Sequence, residues 1–333
     1  MRRVLVPKDW PLARQTPGRT GQWGELEVVQ QPVRACDYVV VLNRPSWPVD
    51  VLCPPANVWA LVLEPANEYY RPLHAGDRAA ARVYTTDDSR TGDRFRLTYP
   101  PLPWQVRRSY DELKSAQLPE KRRGLSCVTS AKSAFAGHRR RLDFLVRLGP
   151  SVPFDLFGRG FRAVEDKWDA LAPYRYSLAI ENHVSDHYWT EKIADCFLAW
   201  TMPVYYGATR ITDYFPQEAM VAIDIEGHDA LDQVREAVAG DRWRKNLDAI
   251  EHARSLVLDR WQLFPFLAGE IEQAEAAAHD ARRPERVVLS TRLRLPPTAR
   301  AEFLARRGWT KTLRALSAPL VRRTARALRR RAA

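Results

Sequence analysis

The chain is poor in cysteine, methionine and glycine: its 333 residues include 4 Cys, 3 Met and 15 Gly, against 24 Pro. The cysteines stand singly at Cys36, Cys53, Cys127 and Cys196. There is no C-x-x-C and no Cys–His grouping at zinc spacing, so reduced thiols are expected rather than a metal or disulfide framework. No apolar run approaches the length of a membrane span; the longest are 38–42 and 58–63. The start, Met1-Arg-Arg-Val-Leu-Val-Pro, has no apolar stretch of signal-peptide length. The expectation is a cytoplasmic protein, peripheral at most on the inner face of the cell membrane. No repeat is visible, which argues against a solenoid. Against these absences, 45% of residues are apolar and 10% aromatic, which excludes disorder over the whole length. The length predicts two domains, each able to bury an ordinary core.

The net charge of +12 is unevenly spread. From Arg306 to the last residue the chain carries ten Arg and Lys and no acid, so everything before it is nearly balanced. A nucleic-acid reading would rest on that tail alone, and no nucleic-acid partner is expected.

Strand-like and helical stretches alternate. Asp37-Tyr-Val-Val-Val-Leu-Asn and Val58-Trp-Ala-Leu-Val-Leu are continuous apolar runs that suit strands buried on both faces, with weaker strands at 4–6 and 81–84. Tyr99-Pro-Pro-Leu-Pro-Trp cannot be a regular central element. Residues 109–124 read as a linker or helix leading to a second unit. The alternation then restarts, with strands at 125–130, 152–157, 176–180, 202–206 and 220–223 and helices at 137–148 and 190–200; after Leu231 the pattern is helical. The predicted class is α/β with mostly parallel sheets, as two Rossmann-like domains facing a central cleft and binding ligands at the carboxyl ends of strands. The expected limits are 1–118 for an acceptor-side domain, 119–290 for a nucleotide-sugar-binding domain and 291–333 for a helical basic tail.

The densest polar constellation lies in 174–207. Glu181 and Asn182 stand where an apolar strand ends, and Thr190-Glu-Lys opens a helix, with Thr190 as a plausible N-cap. Lys192 falls in the first turn, where free amides favour anions and a cation is locally unfavourable. A phosphate ligand would account for it; the plain alternative is a lysine pointing into water.

This block resembles the donor-site signature of glycosyltransferase family ten, the α-1,3/4-fucosyltransferases, in its bacterial form. The family reads approximately Y-K-F-x-L-x-F-E-N-S, a short gap, Y-V-T-E-K, a helix, and P-V-Y-Y-G. The chain has Tyr174-Arg-Tyr-Ser-Leu-Ala-Ile-Glu-Asn-His, then Tyr188-Trp-Thr-Glu-Lys, then Pro203-Val-Tyr-Tyr-Gly. Ile180, His183 and Trp189 depart from the pattern. The likeness is strong over 125–224 and only positional before that. It implies a GT-B fold and an inverting transfer of L-fucose from GDP-fucose to a glycan hydroxyl, with no metal and no further cofactor. Lys192 would then contact the pyrophosphate and Glu191 the ribose hydroxyls, with Asn182 and Tyr188 lining the pocket. A second cation is expected from the preceding helix: Arg141, with Phe144, Leu145 and Leu148 at the family's offsets, fits better than Arg139 or Arg140. The Asp155-Leu-Phe-Gly-Arg-Gly turn matches a family strand end and reads as structural.

An inverting transfer needs a carboxylate to take the acceptor's proton. The family supplies a Glu after an apolar strand of the first domain, and Glu64 occupies that position. Pro65 favours an extended backbone there. Glu68 is the competitor. His183 and His187 read more simply as hydrogen-bonding loop residues. The tail, with Leu320, Val321, Thr324 and Leu328 on one side among arginines, resembles basic amphipathic segments that settle on anionic membrane. Two alternatives stay open: a transferase for another nucleotide sugar, and a nucleotide-sugar-binding module without catalysis. The whole reading depends on the stretch from Asn182 to Lys192 cradling GDP. A Lys192 buried in a salt link, with its neighbours turned away from any crevice, would overturn it.

Overall fold

The computed structural model describes residues 1–277, 283–295 and 297. The chain divides into two compact units. The first holds Met1–Pro103, Arg108–Lys114 and the described residues from Asp259 onward; the second holds Trp104–Arg107 and Ser115–Leu258.

In the first unit the strands are β1 (Arg2–Leu5), β2 (Gln22–Trp23), β3 (Leu26–Val29), β4 (Tyr38–Leu42), β5 (Val49–Cys53), β6 (Val58–Leu61), β7 (Arg82–Thr85) and β8 (Phe95–Leu97), followed by helix α1 (Tyr110–Ser115). Seven of them form one sheet in the order β2-β3-β1-β4-β6-β7-β8. All its pairings are parallel except β2 against β3. The run Tyr38-Val-Val-Val-Leu is buried at every position, as a β-branched strand covered on both faces must be.

The second unit contains β9 (Arg123–Val128), α2 (Ala136–Leu148), β10 (Asp155–Phe157), α3 (Lys167–Leu171), β11 (Tyr174–Ile180), α4 (Glu191–Leu198), β12 (Met202–Tyr206), β13 (Val221–Ala222), α5 (Ala230–Ala239), α6 (Arg242–Lys245) and α7 (Leu247–Leu256). Its five strands run β10-β9-β11-β12-β13, all parallel. That order reverses direction between β9 and β11, the topological switch point at which open α/β sheets bind ligands beyond their carboxyl ends. On α2 the buried set is Arg141, Leu142, Phe144, Leu145 and Leu148, one helical stripe.

The chain then returns to the first unit through α8 (Leu263–Ala276) and β14 (Glu285–Leu289). β14 pairs antiparallel with β5, from Glu285 opposite Cys53 to Leu289 opposite Val49. Val287 and Leu289 bury against Val39, Val41, Val49 and Val51. The tyrosine Tyr84 of β7 packs edge-on to Phe266 and donates to Glu270, both on α8.

Three sequence expectations are corrected here. Residues 259–290, assigned to the second domain, lie in the first unit, because α8 and β14 supply apolar cover that its sheet otherwise lacks. The reading of everything after Leu231 as helix misses β14. The α/β alternation, correct for the second unit, does not extend to the first, whose strands are joined largely by short 3-10 turns such as Leu12–Gln15 and Arg71–Ala75. Beyond 297 the predicted basic tail lies outside the described residues. No described helix is long and apolar enough to cross a membrane, and all four cysteines are free and buried.

Candidate functional site

At the switch point of the second unit, the segments that follow β9 and β11 meet. Helix α2 begins there without a side-chain cap and without an acid in its first turn. Its second residue, Gly137, lies so close to the Asn182 carbonyl that a Cβ would sit 1.8 Å from that oxygen. Only glycine allows this approach, and it brings the uncapped amides of α2 to the end of β11. Gly158, at φ +116°, makes a similar approach to the Thr129 carbonyl, 1.9 Å from where a Cβ would stand. The 155–160 turn thus has a structural role, as expected.

Arg141 leaves α2 buried at 4% exposure and donates to Asn182 Oδ1 and, at 3.4 Å, to the Ser130 carbonyl. Burial lowers its pKa while Cys127, Glu181 and Glu191 pull the other way; an arginine stays charged through such shifts. Its Nε and the Nδ1 of His138 have no hydrogen-bond partner. His138 is driven down to about 4, first by burial and then by the surrounding cations Arg141, Lys132, Lys192 and Arg139. This end of the sheet is thus cationic enough to hold a buried imidazole neutral.

Lys192 is not solvated. Its Nζ lies 2.7 Å from Glu181 Oε2 and 3.0 Å from Thr190 Oγ1, with 18% of the side chain exposed. Glu181 also accepts from the Thr190 amide at 2.9 Å and hydroxyl at 2.7 Å, so one strand-end carboxylate pins the start of α4. Thr190 is the N-cap, as predicted. Half of the arrangement that would count against a nucleotide site is therefore present: the lysine is salt-linked. The other half is not, since Arg141, Asn182, His138 and Lys192 gather at the same strand ends.

The remaining predicted residues divide. Tyr188 is buried, its ring 6.0 Å from that of His183. Glu191 pairs with Lys167 at 3.6 Å. Burial works against its charge, but Lys192 and Lys167 outweigh that and hold the carboxyl below its usual range. Lys167 also meets the buried Asp195 at 3.0 Å, and Asp195 accepts from the Gln105 amide at 2.9 Å. In this conformation Glu191 thus belongs to a buried ion-pair group. Arg140 is an exposed partner of Glu226, and Arg139 donates to the Ser133 carbonyl. His187 bonds Tyr214 Oη at 2.7 Å, the loop role expected of it. Sequence reasoning missed His138, Lys167 and the anchoring role of Glu181. No spacing rule marks the first two, since their partners lie on other elements; Glu181, next to Asn182 at a strand end, was visible but carried no assignment.

Glu64 lies in the first unit, three residues past β6 and half-buried. Asn43, past β4, adopts a left-handed φ of 59°. Its Oδ1 accepts from the Leu63 amide at 2.7 Å and its own amide donates to the Leu61 carbonyl, so it ties two strand ends together beside Glu64. Glu64 and Asn43 line a cavity of about 1270 Å³. The competitor Glu68 is exposed and does not line it. Among the described residues, no three His, Cys, Asp or Glu side chains group as a metal site.

Two α/β units built on parallel sheets, one with a cationic switch point, are the class expected for GT-B transferases. Residues 119–236 match the family model for the C-terminal domain of glycosyltransferase family 10 (fucosyltransferase), and this segment belongs to that family. The chain is similar to an alpha-(1,3)-fucosyltransferase of Helicobacter pylori, 31% identical over 74 residues that cover 22% of the chain and 16% of the relative. It is also similar to the human GDP-fucose protein O-fucosyltransferase 3, 46% identical over 46 residues covering 14% and 10%. The chain thus spans only a small part of each curated relative. Crystal structures of an alpha1,3-fucosyltransferase, unliganded and with GDP, superpose at TM-scores of 0.49 and 0.46, each at 15% identity; they cover 85% and 79% of the chain, and the chain 91% and 92% of them.

Proposed function

We propose that the protein is an inverting glycosyltransferase that moves L-fucose from GDP-fucose to a hydroxyl of a glycan, surface-exposed or lipid-linked. What carries the reading is the convergence of Arg141, Asn182 and Lys192 at the β9/β11 switch point, inside the family 10 segment. A pyrophosphate needs cations and amides, and here two buried or half-buried cations and an uncapped helix start stand together without a divalent ion. On binding, the pyrophosphate draws Lys192 from Glu181, while Arg141 offers its unpaired Nε. Tyr188 lines the pocket. Glu191 turns from Lys167 to accept from the ribose hydroxyls, as acids do in dinucleotide folds.

In the transfer, Glu64 takes the proton of the acceptor hydroxyl as its oxygen bonds to the anomeric carbon. The sugar–phosphate bond breaks on the opposite ring face and GDP departs with the electron pair. Calorimetric titration with GDP and GDP-fucose, followed by GDP release across an acceptor panel, tests this. Micromolar binding and acceptor-dependent release are expected, and no binding of either nucleotide sinks the reading. Binding without release by any acceptor would favour the non-catalytic module, and turnover with another nucleotide sugar would revise the donor.

We also propose that the basic tail holds the protein on the inner face of the cell membrane. Polybasic segments gain about 1 kcal/mol per cation near an anionic surface. Removing residues 308–333 should release the protein from vesicles of anionic lipid, as read by co-sedimentation; undiminished binding rejects the idea.

A further inference from the structure

The cavity of the first unit has a chemical bias that the proposed reaction does not require. Four segments contribute cations to it: Lys8 after β1, Arg44 after β4, Arg78 before β7 and Arg292 after β14. None of the four has a carboxylate within 4.0 Å among the described residues, whereas Arg294, which also lines the cavity, lies 3.8 Å from Asp77. The only carboxylate in the lining is Glu64. Scattered surface arginines ordinarily find acids or face away from one another; here they converge from four loops on one concavity. The aromatic groups follow the same arrangement. Lys8 sits 4.7 Å over the Trp10 ring, and Tyr69 and Tyr70 stand edge to face at 4.7 Å on the opposite lining.

Aromatic faces suit the C–H faces of sugar rings, while guanidinium and ammonium groups suit carboxylate or phosphate. A wholly neutral saccharide would leave these cations concentrated in a partly desolvated space with only Glu64 to offset them. An anionic saccharide standing beside Glu64 alone would be repelled; with the four cations present it is attracted overall. Lys8 registers the imbalance: burial lowers its pKa first, Arg44 lowers it further, and Asp9 and Glu64 oppose them.

We infer that this cavity binds an anionic saccharide, and, resting on the transferase reading above, that the acceptor carries a carboxylate or phosphate close to the hydroxyl that receives the sugar.

The test uses the full-length protein and three probes: trigalacturonate for a carboxylate, glucose 6-phosphate for a phosphate, and maltotriose as the neutral control. Titration calorimetry should show at least one anionic probe binding about tenfold or more tighter than maltotriose. The triple substitution Arg44→Gln, Arg78→Gln, Arg292→Gln should weaken that probe about tenfold or more and leave GDP affinity unchanged. Whichever anion binds identifies the group. Equal affinity for all three probes, no binding of either anion, or an unaltered anion affinity in the triple variant overturns the inference. The two ideas fail separately. Loss of GDP binding in the parent protein defeats the transferase and leaves an anion-binding cavity, while turnover on neutral acceptors alone keeps the transferase and discards the anionic acceptor.

Discussion

Both units wind their parallel strands the same way, yet they treat the switch point differently. In the second unit a full helix, α2, follows the first strand, and glycine lets it press against the end of β11. The result is a compact cationic corner in which every predicted group already has a protein partner. In the first unit short turns follow the strands, nothing presses on their ends, and the space beyond them stays open as the cavity that Glu64 lines. Length of crossover is what separates them: α2 fills its strand ends, whereas 3-10 turns leave theirs vacant. A tight corner suits a small, highly charged group held rigidly, and an open one suits a larger and more varied molecule.

That division of labour can be broken from either side. The largest effect is expected at Glu64. Glu64→Gln should lower turnover by about 10²–10⁴, the range for losing a positioned acid or base, while leaving the affinity for GDP-fucose nearly intact; comparable turnover removes Glu64 as the base. Next comes Arg141→Ala, which takes a buried cation from the corner and leaves Asn182 Oδ1 without it. GDP should bind about a hundredfold more weakly, as removal of one member of a buried charged pair commonly does, with a thermal melt to separate site from fold. Lys192→Ala should cost about tenfold in GDP affinity. The loss is smaller because this lysine must first leave Glu181, and parental affinity would exclude it from the site.

The smallest effect is a pH dependence that sharpens the contrast. His138 is held at about 4 in the fold, against about 6.5 in an unfolded chain. Between those values the unfolded chain binds more protons, so this group's contribution to stability is complete above about pH 6.5 and declines as pH falls toward 4. An anion bound at the corner raises the His138 pKa and makes binding take up a proton. GDP affinity should therefore gain more on going from about pH 7.5 to 5 in the parent than in His138→Gln, a comparison that cancels titration of the nucleotide itself. Parallel curves would mean that the imidazole does not feel the ligand.

Much of the second unit was legible because its signals are local. The runs 174–180 and 202–206 are apolar, β-branched or aromatic over strand length, and the α2 stripe repeats at helical spacing. The first unit was read less well. Val49-Asp-Val-Leu-Cys alternates buried and exposed between two prolines, but its partner lies more than 230 residues away, and nothing near either strand announces the pairing. At the site the residue types were readable and their engagements were not. Spacing placed Lys192 in the first turn of α4 and Arg141 on the buried face of α2. It could not show that Glu181 would reach Lys192 from the neighbouring strand end, or that Lys167 would bind Glu191 from another helix. Such partners are set by the packing of elements, not by position along one of them.

The Lys192–Glu181 contact bears on the end of a catalytic cycle as much as on its start. A cation that can fall back on a nearby acid surrenders a departing diphosphate more readily than one left bare in a dry pocket. The same carboxylate that weakens capture of the donor therefore hastens discharge of the spent nucleotide, so a change at Glu181 should slow turnover even while it tightens GDP's hold.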